Sequence, residues 1–514
     1  MAAVIGLSIP ASATAQKRRS TRTWWLSYLG VLGLTAVVAA LAFFTAPKPL
    51  APVMLALVVL VIVAIARPEL GLLFIAFFAV AGDSVTVAWY PFNQGLSAKQ
   101  SVLFVSNAFQ LSPLELMLLA TTLGWIWRMA ATRQWAFRKG VLYRPIMAFT
   151  AFVFFGLAHG IATGGDRYVA LWEVRPILAM VVIYVLATNL YTRPENYRRL
   201  WSALMLAVVV DSVDAIVYYH SLSAAARAGT DSLGEHAAAL HANVFFVLMM
   251  ALGVVGARST RRLVVMLLAT PIVGYAYILA ERRAAFVGLV VATMALLVLL
   301  HVRRRRAFWY IVPVFVLIFG GYLGAFWNST SSAAFPAQAV KTMISPGSVS
   351  KRDQSSDYYR LVEDSNVVYS IRVSRLTGLG FGQQYLRPYN NADITFSQWW
   401  QYRPHNAILW IWIQMGVGGF IAMLYLFASA IRHGTRAVMR LQGLDAALVL
   451  TSVIFIMMYA VFTYVDISWD NESMVFLGIA FACIAVDRGD VPSVADTARA
   501  DTDVLSPPAL ALQP

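Results

Sequence analysis

The triplet Glu281-Arg282-Arg283 is where residue type and spacing first suggest chemistry in this chain. Two neighbouring guanidiniums form a clamp for an anion, because each can hold phosphate oxygens in a bidentate fork. The plainer reading is a pair of snorkelling side chains, neutralised by Glu281 or by lipid headgroups. Arg175, in Trp172-Glu173-Val174-Arg175-Pro176, either pairs with Glu173 or joins the clamp. Asp211 and Asp214 stand on one helix face. They read as buried counter-ions for the arginines in preference to a proton or cation relay.

Of the seven histidines, His405 has the most suggestive setting. It lies in Arg403-Pro404-His405-Asn406, just ahead of the amphipathic aromatic run Ile408-Leu409-Trp410-Ile411-Trp412. Pro404 suits the first turn of a helix, which would fix His405 at the mouth of that helix. An imidazole ordinarily titrates near pH 6.5 and suits proton transfer at neutral pH. His236 and His241 lack the i,i+4 spacing of a helical zinc pair, so they signal a metal only weakly. Cys483 is the sole cysteine, which excludes an internal disulfide, a Cys-based zinc centre and an iron–sulfur cluster.

Membrane helices must position these residues. The chain has 514 residues, 60% apolar and 13% charged, with a mean hydropathy of +0.68. Soluble domains carry about 25% charged residues. Apolar runs of about 17–23 residues recur, enough to cross a bilayer core of roughly 30 Å. The expectation is an all-α polytopic membrane protein with about 12–14 transmembrane helices and one large, partly helical outer loop. Two short stretches, 70–82 and 472–486, could instead be re-entrant.

The organisation expected is a basic cytoplasmic tail over 1–23 and transmembrane helices 1 to about 11 over 24–327. A large outer (periplasmic) loop follows over 328–404, then C-terminal transmembrane helices over 405–487. Residues 488–514, rich in Ala, Pro and Asp, read as a disordered cytoplasmic tail. Helical stretches such as Tyr358–Ser374 and the aromatics Trp399, Trp400 and Tyr402 argue that the large loop is ordered.

Net charge is +15, and its distribution matters more than its sum. On the side that includes Arg303–Arg306, 24 Lys/Arg lie near the membrane, against six in the short loops of the other side. The positive-inside rule then puts both termini in the cytoplasm and residues 328–404 outside. Topology absorbs most of the charge without a nucleic-acid partner. Apart from Asp211, the ionisable residues of the spans fall in the outer half, so the site they imply opens outward.

A family resemblance rests on motifs in a fixed order. Arg360-Leu361-Val362-Glu363-Asp364-Ser365-Asn366, Ile371-Arg372-Val373-Ser374, Gly378-Leu379-Gly380-Phe381-Gly382, Pro404-His405-Asn406 and Gly416-Val417-Gly418-Gly419 follow one another. Together they resemble the outer loop and following helix of the O-antigen ligase and polymerase superfamily. Glu281-Arg282-Arg283-Ala284-Ala285 resembles that family's upstream arginine motif. The family often has Ser-Arg-Gly there, so Arg283 is the closer equivalent and Arg282 an extra ligand. The glycines of 378–382 follow no strand, so they suggest a tight turn that brings the loop onto the membrane mouth rather than a nucleotide loop.

The resemblance implies a bacterial inner-membrane glycosyltransferase, inverting, without metal or cofactor. Its donor would be an undecaprenyl-diphosphate-linked glycan and its acceptor a sugar hydroxyl on a glycan or glycolipid. Diphosphate neutralisation would fall to Arg283, with Arg282, Arg360, Arg372 or Arg175. His405 would be the general base, supported by Glu363, Asn406 and Glu281. Ligase-like transfer is the favoured form and polymerisation the alternative. From another class, a transporter or flippase of lipid-linked or anionic substrates would explain Asp211 and Asp214. It would leave a long outer loop ending in a fixed histidine without a purpose. A nucleotide-sugar transferase would want an Asp-x-Asp metal site, and Asp501-Thr502-Asp503 lies in a tail with no domain around it.

Overall fold

The computed structural model describes residues 50–82, 92–99, 103–107, 110–133, 135–192, 194–223, 226–227, 233–234, 237–256, 260–329, 331, 334–344, 351–391, 394 and 399–485. Residues 24–49 of the expected transmembrane region, both tails and His236 lie outside them. Long apolar runs with no water to satisfy the backbone leave the helix as the local solution. The described residues accordingly form helices and no strand. The chain is an all-helical polytopic membrane protein. Among the described residues nine helices are long and apolar enough to cross a membrane, and three shorter helices are apolar too.

In chain order the helices are α1 (Leu50–Ala66), α2 (Pro68–Phe78), α3 (Pro113–Thr132), α4 (Tyr143–Ala162), α5 (Arg167–Leu190), α6 (Pro194–Ser221), α7 (Ala238–Val255) and α8 (Thr260–Leu279). They continue with α9 (Arg283–Arg303), α10 (Arg305–Phe326), α11 (Phe335–Ile344), α12 (Lys351–Val373), α13 (Ala407–Arg440), α14 (Gly443–Val465) and α15 (Asn471–Ala485). The centre of the bundle is α14 and α15, where every residue from Ser473 to Ala485 is buried. Around them α5 lies along α15, α13 packs on α14 and α4, and α9 packs on α14 and α7. At the periphery α10 buries none of its residues.

Helix starts carry the expected chemistry. Ser112 and Glu115 form a reciprocal capping box on α3. Asp166 caps α5 by accepting from the amides of Tyr168 and Val169. Asn406 caps α13, its Oδ1 accepting from Leu409 N–H at 3.1 Å. This corrects the sequence expectation for Pro404. It stands two residues ahead of the cap rather than in the first turn, which leaves His405 just outside the helix.

The large loop is held down by a break in α13. Gly416 leaves the helix with φ 67° and ψ −173°, a conformation that disfavours any Cβ. The backbone groups around the break bond to the loop: Leu379 N–H donates to Ile413 O at 2.6 Å, and Val417 N–H to Arg375 O at 3.1 Å. Gly378-Leu379-Gly380-Phe381-Gly382 thereby wedges between α4 and α13. Gly380, at φ 91°, presses against Gly160 so closely that a Cβ on either residue would meet backbone. The glycines bring the loop onto the bundle as the sequence suggests, and α4 supplies the facing glycines.

Candidate functional site

His405 sits where the loop meets α13, and a carboxylate from α12 fixes it. Glu363 Oε2 accepts the backbone N–H of His405 at 2.8 Å and lies 2.9 Å from its Nδ1. A carboxylate accepts, so Nδ1 carries the proton and the lone pair of the neutral ring falls on Nε2. Glu363 is 1% exposed, while the His405 side chain keeps 17% of its surface. The ion-pairing partner is thus shielded and the ring remains reachable. Tyr385 places its hydroxyl 3.5 Å from the other carboxylate oxygen of Glu363. Tyr359 lies edge-on to the imidazole with ring centroids 5.9 Å apart.

Arg283 opens α9, with Arg282 at the N-cap position and Glu281 at φ 48° in the tight reversal from α8. Its guanidinium forks onto Asp357 of α12, at 3.2 and 2.9 Å. The first amides of α9 add positive potential at the same point. Asp357 and Glu363 are six residues apart on α12, about 9 Å along its axis. One polar helix therefore holds both the arginine and the histidine.

The remaining expected ligands divide by helix face. Arg360, three residues before Glu363, shares its side of α12, is half-buried and acts on the neighbouring Asp364. Burial pushes the Asp364 carboxyl above the usual range, while the amide of Asn406, His405 and Arg360 oppose the rise. Arg372 lies two and a half turns beyond Glu363, so it points away and is exposed. Arg175 is also elsewhere: it donates to Gln110 O at 3.0 Å and lies 3.5 Å from Glu115. Its sequence neighbour Glu173 has a different task. Buried at 3% exposure, it accepts from Gly382 N–H at 2.7 Å and Gln414 Nε2 at 3.2 Å, holding the glycine turn.

Sequence reasoning missed three participants. Asp357 anchors Arg283, and its spacing of three and six from Arg360 and Glu363 was the available signal. Glu173 was weighed only as a partner for Arg175. Arg403 was seen only as context for His405. Its guanidinium lies 5.5 Å from the Trp172 ring and 5.7 Å from the Trp410 ring, tying the approach to His405 onto α5 and α13. Asp211 lines a small cavity with His241, Glu472 and Val80.

Residues 267–424 match the family model described as O-antigen ligase. The match runs from within α8 through the break at Gly416 and contains Arg283, Asp357, Glu363 and His405. This part of the chain is therefore similar to the O-antigen ligase family, whose members are glycosyltransferase-like membrane enzymes. No curated protein matches the chain.

Proposed function

We propose that the chain is an O-antigen ligase-like glycosyltransferase that moves a glycan from undecaprenyl diphosphate to a sugar hydroxyl. His405 Nε2 takes the proton of the acceptor hydroxyl as its oxygen bonds to the anomeric carbon. The bond from that carbon to the diphosphate oxygen breaks in the same step, inverting the anomeric centre. The leaving diphosphate oxygen keeps the electron pair of the broken bond, and Arg283 and the first amides of α9 neutralise its charge, with Arg282 and Arg360 as further cations. Donors of this kind contribute roughly 10²–10³ each, and a placed base about 10²–10⁴. Asp357 keeps Arg283 oriented until the phosphate competes for its fork.

The observation that carries this reading is that Glu363, which holds His405, lies on the same helix as Asp357, which anchors Arg283, within the matched region. The reading includes a site that faces the periplasm from the inner membrane, with both termini cytoplasmic. The basic run Arg303–Arg306 supports that orientation, because the 21 residues of α9 separate it from Arg283 by about 30 Å, one bilayer core.

The test is transfer by purified protein supplied with a lipid-diphosphate glycan and a glycolipid acceptor. His405→Ala and Arg283→Ala should each lose at least about 10²-fold in rate, and full activity in either would refute the assignment. In a null strain, full-length chains stranded on the carrier lipid are expected. Products of a single repeat would make the enzyme a polymerase instead. Movement of the lipid-linked glycan without transfer would make it a transporter.

A further inference from the structure

Beside the reacting pair, Trp172 of α5 and Trp399 and Tyr402 of the loop form a second, differently built surface. The Trp172 and Trp399 rings lie 5.4 Å apart and tilted by 32°, and Trp399 meets Tyr402 edge-on at 6.1 Å. Trp172 keeps 37% of its surface exposed, and Trp399 and Tyr402 are half-buried. Arg403, in contact with Trp172, fixes the cluster to Trp410 beneath. The neighbouring Trp400 does not take part, because it is buried and covered by the Arg387 guanidinium at 4.3 Å. An exposed amide, Gln384, donates to Tyr402 Oη at 3.2 Å and borders the rings with a polar group.

We infer that Trp172, Trp399 and Tyr402 are a stacking subsite for a pyranose ring of a glycan held against His405. A pyranose presents a face of C–H groups with slight positive charge and an edge of hydroxyls. Indole and phenol rings offer the matching negative faces, and their size and rigidity keep the entropic cost of binding low. Amides such as that of Gln384 suit the hydroxyl edge. The chain itself sets the distance: Tyr402 stands three residues from His405, at most about 11 Å of backbone. A sugar one or a few units from the reacting hydroxyl or anomeric carbon can therefore lie on the rings.

This inference rests on the transferase reading for the identity of its ligand, so its test does not require turnover. Two probes are titrated against the full-length protein in detergent, followed by calorimetry. One is the deacylated core oligosaccharide of lipopolysaccharide, an acceptor-type glycan. The other is the glycan freed from its carrier lipid by mild acid, a donor-type glycan. Trp399→Ala and Trp172→Ala should weaken binding of at least one probe tenfold or more, whereas Trp399→Phe should stay within about threefold of wild type. The probe that responds identifies the side of the reaction served. Binding that survives both alanine variants, or the absence of binding to wild type, overturns the subsite. So does a loss confined to thermal stability and detergent partition, which would make the rings a membrane-interface belt. Ring-dependent glycan binding by a protein that transfers nothing would uphold the subsite and refute the transferase reading.

Discussion

Two histidines of the same bundle, His405 and His241, show what separates a reactive ring from a packed one. His241 of α7 is 4% exposed, stacks on Phe476 with centroids 4.6 Å apart, and meets Ser473 Oγ at 3.2 Å. The nearest carboxylate along that line is Asp470, one hydroxyl further on, which bonds Ser473 at 3.1 Å. His405 instead contacts its carboxylate directly, and the same oxygen also holds its backbone. A direct carboxylate fixes the tautomer and stabilises the imidazolium that proton transfer creates. A hydroxyl can do the first and does little for the second. The two rings also differ in access, one lying outside a helix cap and the other inside the helix core.

The sharpest way to break the comparison is to remove the carboxylate and keep its shape. Glu363→Gln should lower kcat by on the order of 10²–10⁴, because an amide can present N–H to Nδ1 and turn the ring to the wrong tautomer. Its acceptor KM should change little. A variant with near-normal kcat in a transfer assay would show that His405 needs no carboxylate and that the distinction from His241 is one of access alone. Next comes the support beneath the histidine. Gly380→Ala places a Cβ against Gly160 at a positive φ, so it should cost on the order of 1–3 kcal/mol. The expected readout is a lowered unfolding midpoint together with partial loss of activity. An unchanged midpoint would mean that the loop is not wedged between α4 and α13.

The membrane helices and the placement of His405 just ahead of a helix were legible in the sequence, because both depend on local signals. Apolar run lengths set the spans, and a Pro-His-Asn ahead of an aromatic run marks a helix start. What was not legible came from distant pairings. Glu173 and Gly382 are 209 residues apart, and Arg283 and Asp357 are 74 apart. No composition or spacing joins them before the bundle is assembled. Arg175 was read beside Glu173 because they are sequence neighbours two apart, yet residues two apart on a helix do not face each other. Arg360 and Arg372 could have been separated from helical periodicity alone, since only the first shares a face with Glu363. The break at Gly416 was hidden because a glycine inside an apolar run can also be plain helix.

His241 gives the comparison its second test. His241→Ala should leave turnover within about threefold of wild type while destabilising the bundle by on the order of 1–3 kcal/mol, as a truncated buried side chain does. A large loss of kcat in a normally stable His241→Ala protein would join the Ser473–Asp470 line to the reaction.

The smallest expected effect concerns Asp364, which adjoins the His405 site without serving it. Burial raises its carboxyl pKa, with Glu363 adding to the rise and Asn406, His405 and Arg360 opposing it. A raised acid favours the protonated native state. The stability it contributes is therefore present below the ordinary aspartate range and lost as pH climbs through the native value. At neutral pH the ionised group is a burden, and Asp364→Asn should remove it. The expected result is a rise in Tm on the order of 1–3 °C at pH 7 that shrinks as pH falls toward 4. A destabilised Asp364→Asn protein at pH 7 would mean that the charge of Asp364 is needed where it is, and that the carboxylates serving His405 number two.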